Sequence, residues 1–467
     1  MVFPAQRRSW AHLPGCRLGR GMADFSAKAM VSIACILTCS TTGLAADEPD
    51  GSGWNDILTR STLTGDWGGA RTALENKGVT ITLTQTSDFL ANPSGGIRQG
   101  SAYDGLFQPE IDIDLEKLIG WKGGNVHVAA YGVQGHGLSQ YDIGNLLTVT
   151  SVEAPNGWYL GELWFQQSLL SDALAIKVGR ILADQNFVIS ETAGVFVNST
   201  FGFPGSFAVD LPGGGPAYPN AVPGAQLIVK PDSAWTIQTA IFEGSPDGST
   251  FSADGVLAIA ELAHAFTPGK NDHRLAGTYK IGAWYNSERF DDLAIASNGA
   301  SLASPLSSGT PRNETGNYAF YVVVDQSLWS EPGAAGQGLS GFARATFTPL
   351  SDRNQINWYV DAGLAYTGLF PGRDSDIFGV GFAYAHMSGG ASDLARATNA
   401  YSGVVGPVPD YEAVLEITYQ AAVTPWLSVQ PFFQYVFHPG GNAPDPDDPS
   451  AAIRDASVIG LRMAVTL

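Results

Sequence analysis

Charge and cysteine are what this chain has least of. Charged residues make up 15% of its 467 residues, against about 25% in an ordinary soluble protein. Cys16, Cys35 and Cys39 are the only cysteines. Once the start of the chain is removed, no disulfide, thiolate metal site or cysteine nucleophile can be built. Basic side chains are scarce as well: 25 Lys and Arg against 44 Asp and Glu, a net charge of −19. That balance repels phosphates, and no basic patch with interleaved aromatics offsets it, so nucleic acid is excluded as a partner. The seven histidines are scattered without metal-ligand spacing, so neither metal nor cofactor is expected. Asp445-Pro-Asp-Asp448 offers Ca²⁺ a loose site at most and reads better as a solvated acidic loop. Pro212-Gly-Gly-Gly-Pro216 lacks the Lys-Ser/Thr and the following helix of a phosphate cradle. Beyond residue 45 no run of 18 apolar residues occurs, so no transmembrane helix is expected.

What is present begins with a leader. Lys28 precedes an apolar stretch that ends in Gly43-Leu-Ala-Ala46. A basic start, an apolar core and small residues at the end form a secretory signal peptide. Residues 1–45 are assigned to it, with cleavage after Ala45 or Ala46 and Met22 as an alternative start. Cleavage removes five basic side chains and one acid, which makes the mature chain more acidic still. Residues 46–77 form an N-terminal segment. Within it Asp66 caps a short helix over 69–77, stopped by Gly78.

From Val79 the pattern is period two. In Glu412–Val423, Leu415, Ile417, Tyr419, Ala421 and Val423 alternate with Glu412, Glu416, Thr418 and Gln420. A strand of this kind has one dry and one wet face. Sixteen such strands are expected, near 78–90, 107–118, 124–134, 157–169, 173–182, 222–230, 234–243, 255–267, 273–287, 316–329, 339–349, 356–369, 375–387, 410–423, 427–438 and 454–467. Short connections alternate with long ones (91–106, 135–156, 183–221, 288–315, 388–409, 439–453); the misfit is 350–355, a short link on the long-loop rim. Even strand number and alternating loop length define a transmembrane β-barrel. The expected fold is therefore all-β, a sixteen-stranded antiparallel barrel over 78–467 with a short N-terminal helix. Charges support it. A lipid-facing Arg or Lys at the midplane costs roughly 2–4 kcal/mol, and Asp112, Asp114, Lys280, Asp325, Asp361, Glu416 and Arg462 all share the polar parity of their strands. Lys177 and Arg180 differ in parity, which calls for a bulge or a rim position for Arg180.

Three blocks resemble the carbohydrate-selective porin family of the OprB type. They are Leu63-Thr-Gly-Asp-Trp-Gly-Gly-Ala-Arg71; Gly161-Glu-Leu-Trp-Phe-Gln-Gln-Ser168 with Lys177-Val-Gly-Arg180 and Ala183-Asp-Gln185; and Thr424-Pro-Trp-Leu-Ser-Val-Gln-Pro-Phe-Phe-Gln-Tyr-Val-Phe-His-Pro-Gly440 with Gly460-Leu-Arg462. The resemblance implies a monomeric barrel in a Gram-negative outer membrane, passing small, glucose-like sugars by diffusion. Outer-membrane lipid and the barrel-insertion machinery are the other partners implied. Outer-membrane barrels usually end in Phe, where this chain has Leu467. A general, non-selective porin is the alternative; a barrel enzyme finds no nucleophile motif beside His386 or His438, and a soluble lectin would need sealed outer faces.

A sugar needs paired donors and acceptors and a ring to stack on. Glu162, Trp164 and Gln166 fall on one strand face, either as a sugar contact or as wall packed against an inward loop. Lys177, Arg180, Lys280, Arg344 and Arg462 against Asp112, Asp361 and Glu416 form either a transverse field or wall salt bridges, and Gln420 lines the same wall. The Gly- and Pro-rich loop 183–221 either narrows the lumen or caps the outside. Trp67 and Arg71 either sit at the N-terminal mouth or pack a helix on the barrel end. Trp358, Tyr419, Trp426 and Tyr435 are expected in interfacial girdles.

Overall fold

In the computed structural model, residues 54–246, 255–267, 275–333 and 336–467 are described. The leader lies outside them. Sixteen strands close a single antiparallel barrel in which each pairs with its sequence neighbours and the last with the first. They are β1 Val79–Gly96, β2 Gly100–Asp114, β3 Gly124–Gly135, β4 Gly157–Leu169, β5 Leu174–Ile181, β6 Val222–Val229, β7 Trp235–Glu243, β8 Val256–Phe266, β9 Gly277–Ala296, β10 Pro311–Ser330, β11 Gly338–Phe347, β12 Ile356–Thr367, β13 Ile377–Met387, β14 Tyr411–Thr424, β15 Leu427–Phe437 and β16 Arg454–Thr466. The seam runs from Thr84↔Thr466 to Ser94↔Ser457 and Gly96↔Arg454.

The apolar parity faces outward. Trp158, Ile241, Ile281 and Phe320 are each more than half exposed. A band of such side chains is stable only against lipid. Stacked rings run along the outer face at one rim: Trp358 on His386, Tyr384 on Tyr411, and Tyr411 on His438 at 4.2 Å between centroids.

Two expected loops are largely strand. Residues 91–106 become a β1–β2 hairpin, and much of 288–315 extends β9 and β10. Glycine makes the first possible: at Gly95, φ is +73° and a Cβ would lie 1.7 Å from the Asp455 carbonyl oxygen. At the other end β2 stops at Asp114, short of the expected 118. The Asp114 side chain accepts from Glu116 and Lys117 amides and so starts a helix over Leu115–Ile119. The long link after β13 also holds a helix, Gly389–Ser402, capped by Ser388.

The N-terminal segment packs on the short-turn rim. It carries helices Trp54–Thr59 and Ala70–Asn76. Asp66 Oδ1 accepts the Thr72 amide at 2.8 Å, and Gly78 follows the second helix at φ +86°. Arg71 stacks on Trp67 at 4.3 Å and donates to the Leu467 oxygen at 2.8 Å. The Leu63 amide donates to Thr466, and Trp426 Nε1 donates to Ile57. Trp67 and Arg71 therefore join the helix to the end of β16.

Candidate functional site: two loops folded into the barrel

The apolar core lies inside the barrel, where inward loops meet the wall. Residues 182–221, between β5 and β6, run across the lumen. Phe187, Phe203, Phe207 and Leu211 pack on Phe242, Ile259, Trp284 and Tyr321 of the wall. Phe196 and Phe201 pack on Phe342, Tyr359, Val414 and Phe432. A second inward loop, 136–156 between β3 and β4, brings Leu138, Ile143, Leu147 and Val149 into the same cluster. The sequence offered no reason to single out this loop from the other long ones. The loops also pair: the Ser151 amide donates to Val197 and the Ser199 amide to Thr148, each at 3.0 Å.

Buried wall charges hold these loops. Glu416 accepts from the Val197 and Asn198 amides at 2.7 and 2.9 Å. Glu412, two pleat repeats away on the same face, accepts from Leu146 and Leu147 of the other loop. Glu261 accepts from the Val188 amide at 2.9 Å, Asp325 from Thr192 and Ser190, and Glu162 from Leu182. Arg344 on β11 is opposite Asp361 on β12. Its Nε donates to both Asp361 oxygens at 3.1 Å, and Nη1 and Nη2 donate to the carbonyls of Val188, Gly202, Thr200 and Phe201. Tyr359 adds a bond to Asp361. The tip of the longer loop docks on the short link after β11: Asp210 Oδ1 accepts the Gln355 and Ile356 amides. The link that seemed misplaced is the loop's landing point.

Several expected lumen residues are thus covered. Arg344 and Asp361 have side chains with no exposure, and Glu416 is likewise fully buried. They face loop backbone instead of water because the loop carbonyls and amides need partners once enclosed. Arg180 is not in the lumen. On β5, Ala175, Lys177 and Ile181 are buried inward while Ile176 and Val178 face out. Arg180 shares the outward parity, at the long-loop rim, where it donates to the Ala221 carbonyl and lies beside Glu243. Trp164 is already engaged: His127 from β3 stacks on it at 5.0 Å, and Lys177 from β5 places Nζ 4.5 Å above it.

Other predicted residues share the inward parity. Lys177 donates to Asn186 and Lys280 to the Ile189 carbonyl. Arg462 binds Asp88 through Nε and Nη2, and Nη2 also reaches Thr150 and Ser151. Gln166 and Gln420 are half-buried, on inward parity, in register with Lys177 and Ile377. Asp112, half exposed, bonds His127 at 2.7 Å. On the loops, burial pushes the Asp184 carboxyl up to about 7, against the Tyr218 amide that it accepts. Burial also raises Asp210 well above the carboxylate range, against the amides that it holds.

A closed sixteen-stranded barrel with a lipid-facing outer band and loops narrowing its lumen is an outer-membrane porin. The chain belongs to the carbohydrate-selective porin family, OprB, whose family model matches residues 98–467. It is a carbohydrate-selective porin of a Gram-negative outer membrane, with short turns on the periplasmic side. It is 28% identical over 409 residues to Porin B of Pseudomonas aeruginosa, covering 81% of this chain and 87% of that one. A putative porin, QuiX, of Acinetobacter baylyi is 22% identical over 445 residues, covering 86% and 92%. The high-pH structure of Pseudomonas putida OprB superposes with a TM-score of 0.78 at 26% identity, covering 88% of this chain and 99% of that one.

Proposed function

We propose that this porin passes glucose-sized neutral sugars passively into the periplasm as a monomer, after insertion by the barrel-assembly machinery. The observation that carries this reading is the pair of inward loops fastened by buried wall charges. Such a fastening gives a lumen of fixed width, and fixed width with polar walls sorts solutes by size and hydroxyl pattern. Gln166, Gln420, Lys280 and Arg462 are the wall groups best placed to exchange hydrogen bonds with a passing sugar. Passage needs no chemical step, so the chain acts as a channel and not as an enzyme. His386 and His438, the histidines near strand ends, are engaged in the outer aromatic stacks.

Liposome swelling tests the reading. Glucose is expected to enter faster than an amino acid of matched size, and a disaccharide more slowly than glucose. Equal rates at equal size would leave a general porin.

A further inference from the structure

On the lumen face, three strands bring one row of charge together. Arg462 on β16 is in register with Asp88 on β1, and Asp88 with Asp104 on β2. Directly opposed side chains of this kind sit about 4.5–5.5 Å apart at Cβ, where like charges repel. Arg462 binds Asp88 through Nε and Nη2. Asp104 is 97% buried, since its relative exposure is 3%. Its Oδ1 accepts the Gly137 amide at 3.0 Å, while its Oδ2, also enclosed, has no partner.

The inward β3–β4 loop brings a third acid to the same place. Glu153 Oε2 accepts from the Ser139 amide and hydroxyl. Gly137 lies between the two acids: a Cβ built on it would stand 2.3 Å from Glu153 Oε1. The groups facing Asp104 are Asp88, Glu153, Tyr218 and His136, whose backbone amide also bonds its carboxylate. Three carboxylates therefore share one guanidinium, with the exposed His136 the only other basic group among those facing Asp104. Burial and Asp104 push Glu153 up to about 7, against its Ser139 bonds, as befits an acid short of positive charge.

We propose that Asp104 and Glu153 hold a divalent, oxygen-seeking cation such as Ca²⁺, which ties the β3–β4 loop to the barrel wall. Hard cations take carboxylate and carbonyl oxygens in flexible geometry, and an enclosed carboxylate oxygen without a donor, such as Asp104 Oδ2, is costly unless a cation or proton meets it. The inference does not rest on the sugar reading.

The test uses the whole barrel in detergent, free of lipopolysaccharide, with Ca²⁺ as the probe and a chelator as the blank. Ca²⁺ at millimolar concentration is expected to raise the thermal midpoint by about 3–5 °C and to protect the β3–β4 loop from protease. Equilibrium dialysis is expected to show one bound ion that is lost in Asp104→Asn and in Glu153→Gln. Because Asp104→Asn alters a wall strand, Glu153→Gln on the loop serves if the former does not fold. Asp292→Asn, in the acidic group of Asp292, Glu314 and Asp352 that already binds Arg312 and Arg353, is expected to keep the ion. No Ca²⁺ effect on the parent protein would overturn the proposal. Binding that survives both variants would overturn it too.

Discussion

At the scale of single residues, the lumen divides into groups that hold the loops and groups that meet the solute. Trp164 belongs to the first: its ring is already engaged by His127 and Lys177. Gln166 belongs to the second. In planar bilayers Gln166→Ala is expected to weaken glucose block of ion current about fivefold, the worth of roughly one hydrogen bond. Trp164→Ala is expected to change it by less than about twofold; a large loss there would return the ring to the binding site. Asp184 carries a pH signature. Its folded pKa is raised to about 7, above the ordinary value. The docked loop therefore binds a proton that the free loop releases, and the stabilisation is full at low pH and lost as pH rises through about 7. The thermal midpoint should fall between pH 5 and 8, and Asp184→Asn should flatten that fall. An equal slope in the variant would assign the proton elsewhere.

At the scale of elements, the anchor with the most bonds is Arg344. Removing one partner of a buried ion pair costs about 3–5 kcal/mol, and here four loop carbonyls lose a donor as well. Arg344→Ala is expected to release the β5–β6 loop while the strands stay closed. Single-channel conductance should rise, and disaccharide uptake should gain on glucose uptake in swelling assays. Unchanged conductance would show that the loop stays in place on its apolar contacts alone. The strands themselves were legible in the sequence because period two repeats locally: β4 Gly157–Leu169 and β15 Leu427–Phe437 lie within one residue of the pattern that predicted them. The loops were not legible to the same degree. Whether Glu412 lines water or grips Leu146 depends on contacts 266 residues apart, and polar parity looks the same in both cases. Arg344 and Asp361 were recognised as inward charges for that reason, and their cover by loop backbone was invisible. The extra strand length at 91–106 was hidden by Pro93 and the glycines, which read as loop but serve a tight hairpin.

At the scale of the whole molecule, charge and sugar passage separate. The inward basic groups Lys177, Lys280, Arg344 and Arg462 are each held by an acceptor: Asn186, the Ile189 carbonyl, Asp361 and Asp88. On β2, Glu110 and Asp112 share inward parity below the loops. Asp112 is half exposed and bonds His127, and Glu110 accepts from Gln108. The net charge of −19 adds to the same field. An acidic, narrow, low-dielectric lumen concentrates cations and excludes anions. In a KCl gradient the reversal potential should therefore indicate cation preference, falling as salt shortens the Debye length from ~10 Å at 0.1 M toward ~3 Å at 1 M. Asp112→Asn should lower the preference. Glucose carries no charge, so its flux should respond neither to salt nor to Asp112→Asn. A glucose flux that followed ionic strength would mean that the sugar path and the ion path are set by the same wall charges, and that Lys280 and Arg462 act on the solute through their field and not through hydrogen bonds.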